Sequence, residues 1–134
     1  MTNNICPACG SGHIIKSEEK KLISLPYSDE EYITIVNYKC NTCLTEGDFF
    51  GENDEKINVV IIRQRKRAVI NILNYFVEAG VSLSTMERIL DLPQRTLTVW
   101  MEGDLIPAAG VTLLRMIRTV PELLEVAENK YEKI

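Results

Sequence analysis

Two Cys-x-x-Cys pairs constrain this chain more than any other feature. Cys6 and Cys9 lie in "CPAC", Cys40 and Cys43 in "CNTC", with thirty residues between the pairs. Two residues between cysteines let both thiolates point to one side of a tight knuckle. Two knuckles complete a tetrahedral S4 site with metal–sulfur bonds of about 2.3 Å. Gly10 and Gly12 follow the first pair and allow the tight backbone that a knuckle needs. All four positions are filled by thiolate, so no position is open for water and the site is structural rather than catalytic. Ligand type and spacing predict Zn2+ at Cys6, Cys9, Cys40 and Cys43. Iron fits the same cage. A redox Cys-x-x-Cys would need one pair beside a βαβ pattern, which is absent. Disulfides belong to oxidising compartments. "MTNNICPACG" is polar and carries no signal-peptide pattern, and no apolar run is long enough to span a bilayer. A cytoplasmic location without membrane attachment is therefore expected.

The cysteines also set the domain plan. Between them, "IIKSEEKKLISL" and "EEYITIVNYKC" hold short β-branched and aromatic runs, and "PYSDE" is a turn signal. The reading is a β-hairpin or small sheet over residues 1–50 with one cysteine pair at each end. So short a module buries little core and needs a staple. A helical pattern then starts in "GENDEKINVV", where Asn53 can cap and Asp54 and Glu55 suit the positive helix end. Ile57, Val60 and Ile61 recur at helical spacing. "RQRKR" at 63–67 follows, then Ile72, Leu73 and Phe76 on one face, stopped by Gly80. One long helix, or two with a hinge near Gln64, both fit. "VTLLRMIR" and "TVPELLEVAENKYEKI" read as two more helices, with Thr119 and Glu122 at capping-box spacing and Pro121 in the first turn. The expected class is α+β: a zinc-stapled hairpin domain (1–50), a helical connector (51–64) and an all-α domain (65–134).

Charge separates the two halves. The whole chain carries a net charge of −4. Residues 1–62 hold five basic and ten acidic residues, whereas residues 63–118 hold eight basic and five acidic. Such asymmetry points to two modules with different partners. A zinc ion held by four thiolates would leave the acidic half more negative still. His13 is the only histidine and reads as a surface or hairpin residue. Without a G-x-S-x-G or a phosphate-cradling glycine loop, no catalytic constellation is present, and no enzyme is expected.

"SLSTMERILDLPQRTLTVWMEG", residues 82–103, has the pattern of a helix-turn-helix. Ser82 can cap the first helix; Met86, Ile89 and Leu90 face inward, and Leu92 sits in the turn. Pro93 opens the second helix, Leu97 and Trp100 lie on its buried side, and Gly103 ends it. Gln94, Arg95, Thr98 and Val99 face outward, with Thr96 at the edge. Ser82 and these five are the expected DNA-contacting residues, because the start of such a helix meets base edges. Arg95 matches guanine, Gln94 adenine and Val99 a thymine methyl. Arg65 and Arg67 are expected on phosphate, if anything. An ordinary helical hairpin with a solvated polar side is the alternative.

Taken together, these features resemble the MqsA-type antitoxin family, in which an N-terminal zinc domain joins a Cro/XRE-like helix-turn-helix domain. The resemblance rests on "CPACG", the spacing to "CNTC", "LPY" at 25–27, "WMEG" closing the recognition helix and "LLRMIRTVPELL" at 113–124, and it spans nearly the whole chain. It implies a homodimer that binds double-stranded DNA at a palindromic operator and represses its own operon. It also implies that the zinc domain holds a co-encoded toxin, for which its acidity suits a basic partner. Carried over by position, the four cysteines match the zinc ligands and Arg95 and Val99 match base-reading positions. The family pattern there has Asn and Arg, so a different operator is implied. Glu87 stands at a spot usually small, and Asp91 replaces the usual turn glycine. Asp tolerates positive φ; nothing in the sequence accounts for Glu87. Leu113, Leu114, Ile117, Leu123, Leu124 and Ala127 offer apolar surface for the dimer. A stand-alone zinc-containing transcription factor, and an adaptor on a helix-turn-helix that no longer binds DNA, are the competing functions.

Overall fold

The computed structural model of the chain describes residues 4–103 and 105–129. It is α+β: a three-stranded antiparallel sheet followed by helices. The strands are β1 (Ile14–Ser24), β2 (Glu30–Cys40) and β3 (Glu46–Gly47), in the order β1-β2-β3. The helices are α1 (Asn53–Glu78), α2 (Leu83–Ile89), α3 (Thr96–Glu102), α4 (Ala108–Thr119) and α5 (Leu123–Asn129). The chain divides into two compact units, one of residues 1–23 and 30–61, the other of Ser24–Asp29 and 62–134. Residues 53–64 of the expected connector form the first part of α1, which runs as one helix through Gln64.

In the first unit, β3 pairs with β2, Tyr38 opposite Gly47 and Lys39 opposite Glu46. Two residues are too short a strand to show in a sequence pattern. The buried apolar residues among those described are few: Cys6, Ile23, Val36, Tyr38, Cys40 and Val60. Tyr38 stacks on Phe49 (5.8 Å between centroids) and meets Phe50 edge-on (4.9 Å). The start of α1 is capped by Asp48, whose two carboxylate oxygens accept from the amides of Glu52 and Asn53 at 2.9 and 2.8 Å. Asn53 is therefore not the cap. Its side-chain amide pairs with the Val36 backbone instead, accepting from N–H and donating to C=O at 2.9 and 2.8 Å. An amide side chain has the donor and acceptor of a peptide group, so it extends the β2 ladder.

The second unit is built on Val69, Ile72, Leu73 and Phe76 of α1, spaced at i, i+3, i+4 and i+7. Met86, Leu97, Ile106, Val111, Leu114 and Ile117 close the core around them. Trp100 lies against Gly110, where an added Cβ would come within 2.5 Å of the indole ring. After α1, Gly80 takes φ +97°, with Gly80 N–H on Val77 C=O and Val81 N–H on Phe76 C=O. That is a Schellman stop.

Ser24–Asp29 is held by polar contacts. The buried Gln64 accepts the Leu25 amide (3.0 Å), Asn71 donates to the Tyr27 carbonyl (2.9 Å), and Asp29 pairs with Arg67 (3.1 Å). The Arg118 guanidinium lies 3.7 Å from the Tyr75 ring centroid and 5.1 Å from that of Tyr27. Thr119 does not cap α5. It ends α4, donates to the Arg115 carbonyl and hydrogen-bonds the Tyr27 hydroxyl, each at 2.8 Å. Pro121 and Glu122 form the turn before α5. The part of the expected last helix over 130–134 lies outside the described residues. Of the six apolar residues expected at a dimer, Leu114 and Ile117 are core, Leu113, Leu123 and Leu124 are half-buried against it, and Ala127 is half-buried. What α4 and α5 expose is Met116, Val120, just past α4, and Val126.

Candidate functional site

The four cysteine sulfurs lie within 4.8 Å of one another, a group able to hold a metal ion. Cys6 and Cys43 are 3.6 Å apart at sulfur, as are Cys9 and Cys40. A tetrahedron with bonds of about 2.3 Å has edges of about 3.8 Å. A disulfide needs about 2.05 Å, and all four cysteines are free. The donor set thus fits a thiophilic metal such as zinc or iron. His13 is exposed and is not among the grouped ligands.

The two knuckles repeat one geometry. The Gly10 amide donates to the Cys6 carbonyl (2.8 Å), and the Leu44 amide to the Cys40 carbonyl (2.9 Å). The Cys6 amide donates to Ser11 C=O (2.8 Å), and the Cys40 amide to Thr45 C=O (2.9 Å). In each, an amide two residues on donates to the first cysteine sulfur at 3.3 Å, from Ala8 and from Thr42. The fifth residue of each turns left-handed: Gly10 at φ +79° and Leu44 at φ +66°. Gly10 meets that need without steric cost, whereas Leu44 does not. Gly12, also expected to serve the turn, has no positive φ. Ser11 and Thr42 hydroxyls join the knuckles at 2.9 Å, and the Asn41 amide donates to His13 C=O at 2.8 Å.

Hydrogen bonding favours the ligand form unevenly. The Cys43 amide, ahead of opposing desolvation, and then the Thr42 amide hold the Cys40 thiol down at about 6. The Thr45 hydroxyl and amide also lower Cys43. For Cys9 the backbone at Ser11 lowers, but desolvation and the thiols of Cys40, Cys43 and Cys6 push it up to about 12. Four thiols crowded together cannot all ionise without a cation among them.

The α2–α3 pair holds the other candidate residues. Ser82 is exposed and caps α2, its Oγ accepting the Thr85 amide at 3.2 Å. Asp91 takes φ +58°, with its amide on Arg88 C=O and the Leu92 amide on Glu87 C=O. This Schellman stop lets Asp91 stand where a glycine is usual. Gln94, Arg95 and Val99 are exposed, Thr96 and Thr98 half-buried, and Leu97 fully buried. Two local expectations are corrected. Pro93 does not open the second helix, which starts at Thr96. Arg95 is not in the first turn but is the residue before it, at φ +72°. A left-handed residue cannot sit inside a right-handed helix. Gly103 does end α3, in extended conformation (φ −96°, ψ 172°) with its amide on Val99 C=O. Arg67, expected on phosphate, pairs with Asp29. Arg65 lines a recess with Ile62, Leu105, Ile106 and Pro107.

Glu87 is the residue that sequence reasoning missed. It is 5 % exposed. Its Oε1 accepts the Arg95 amide at 3.1 Å, and its Oε2 accepts the Leu97 amide at 2.8 Å. Arg95 caps nothing with its own side chain, so the N-terminus of α3 is capped from α2. No sequence signal announces a cap that lies eight residues upstream on another helix. Among the described residues, no helix is long and apolar enough to cross a membrane. No family model, curated protein or solved structure matches the chain.

Proposed function

We propose that this protein is a DNA-binding autorepressor and antitoxin, in which α2 and α3 form the helix-turn-helix and α3 enters the major groove. The observation that carries this reading is the exposed edge of the pair: Gln94, Arg95 and Val99 stand free of the core while Leu97 anchors the helix beneath them. Among the described residues, Arg95 makes no side-chain hydrogen bond or ion pair, so its fork of donors is free for guanine O6 and N7. Ser82, Thr96 and Thr98 complete the DNA-contacting set.

In this reading the four cysteines hold one Zn2+ as a closed structural centre that staples the first unit. The acidic surface of that unit meets a basic toxin. The homodimer, which a palindromic operator requires, pairs through the apolar side chains left exposed in the second unit, Met116, Val120 and Val126. The toxin partner rests on the family resemblance and on charge. A search for a small basic protein encoded beside this chain, and its expression with and without the chain, tests it: growth arrest relieved by this chain is expected, and no such neighbour, or no relief, overturns the partner.

Selection from a random DNA pool tests the DNA reading. The wild type is expected to enrich a palindrome with half-sites one helical turn, or a multiple of it, apart. Arg95→Ala is expected to lose about 1–3 kcal/mol per half-site and relax one base pair. If the wild type enriches nothing, the reading fails and the adaptor function replaces it.

A further inference from the structure

The buried carboxylate of Glu87 is the least expected polar group in the second unit. We infer that Glu87 is a positioning residue for sequence reading: it holds Arg95 in the left-handed conformation from which its side chain meets DNA. The inference rests on the DNA reading proposed above and names the device that makes it specific.

Each carboxylate oxygen has its own amide, Oε1 on Arg95 and Oε2 on Leu97. Those two amides lie on either side of the first helical residue, Thr96, whose hydroxyl donates to the Pro93 carbonyl at 2.7 Å. The backbone on both sides of the helix start is thereby fixed. Arginine disfavours φ +72°, and without an anchor the segment would relax toward the right-handed or extended regions. Arg95 would then leave from a different point and direction, and a bidentate contact to a base edge tolerates little of either.

The same carboxylate has an electrostatic consequence. A negative group at the positive end of a helix is favourable. Glu87 fills that end of α3 from within, so the end offers no free amides at Arg95 and Leu97 to a DNA phosphate. Recognition then depends on side chains rather than on an end that would hold any sequence equally. Discrimination rises at the expense of sequence-independent affinity.

The experiment uses the full-length, metal-loaded protein. Wild type, Glu87→Gln and Glu87→Asp are taken through selection from a random DNA pool, and then through titration with the selected duplex and an unrelated one. Gln can present only one oxygen to two amides, and Asp keeps the charge but shortens the reach by one methylene. The far-UV signal of each variant establishes folding. For folded variants, the ratio of affinities for the selected and unrelated duplexes is expected to fall at least about tenfold. Affinity for the unrelated duplex is expected to hold, or to rise for Glu87→Gln. A purely structural role would lower both affinities together. If the wild type enriches a sequence and the folded variants keep the same preference, the proposal is overturned and the DNA reading stands. If the wild type enriches nothing, the DNA reading fails and the proposal falls with it. If both variants lose their helical signal, Glu87 holds the fold rather than the reader, which also overturns it.

Discussion

The two units are held together by different physics. Among the described residues, the first has six buried apolar residues, two of them cysteines of the cluster, and a three-stranded sheet. The second has, among its described residues, a core of ten buried side chains from α1 to α4, with Leu73, Met86, Leu97 and Leu114 at zero exposure. The first unit gathers four cysteines able to hold a metal ion, whereas the second is organised mainly by hydrophobic burial.

Metal removal breaks the comparison most directly. Structural zinc contributes on the order of 10–16 kcal/mol at neutral pH in small modules. A strong chelator is therefore expected to abolish the β-sheet contribution of the first unit and leave the helical signal of the second largely intact. Far-UV circular dichroism with metal analysis reads both, and one metal ion per chain is expected before chelation. Loss of both signals in one step would show that the second unit is not independent.

Leu97→Ala attacks the other side. The residue is fully buried, and truncation is expected to cost about 2–5 kcal/mol. Thermal unfolding should show the loss in the helical transition, with metal content unchanged. A variant that melts like the wild type would mean that the α3 anchor is not part of the core.

The smallest effect sharpens the comparison within the first unit. Leu44 occupies the left-handed corner that Gly10 takes in the other knuckle, and its side chain is 66 % exposed. Leu44→Gly relieves about 1–2 kcal/mol of backbone strain against about 0.5–1 kcal/mol of added chain entropy. A net gain of about 0.5 kcal/mol is expected as a small rise in the melting midpoint of the metal-bound first unit. A fall would mean that Leu44 makes a contact the exposed side chain does not show.

The cluster was legible in the sequence because its cysteines sit in fixed local spacings, two residues within each knuckle. The long helices were legible because apolar residues at i, i+3, i+4 and i+7 leave a periodic trace, as at Val69, Ile72, Leu73 and Phe76. The α2 cap was legible too, since Ser82 bonds an amide three residues on. Local rules failed wherever a distant group supplied the partner. Asp48 displaced Asn53 as the cap of α1, and Asn53 went to strand β2. Thr119 turned from capping α5 to the Tyr27 hydroxyl, ninety-two residues away in sequence. Leu114 and Ile117 of α4, which read as surplus, belong to the core of the second unit.

By itself, then, the sequence determined the α+β order, the four clustered cysteines and the exposed edge of α3, all written in spacings of a few residues. Only the tertiary structure decided where α3 begins and what holds that beginning. The two amides there are satisfied by a carboxylate on α2, and a hydrogen bond made through space leaves no period in the chain.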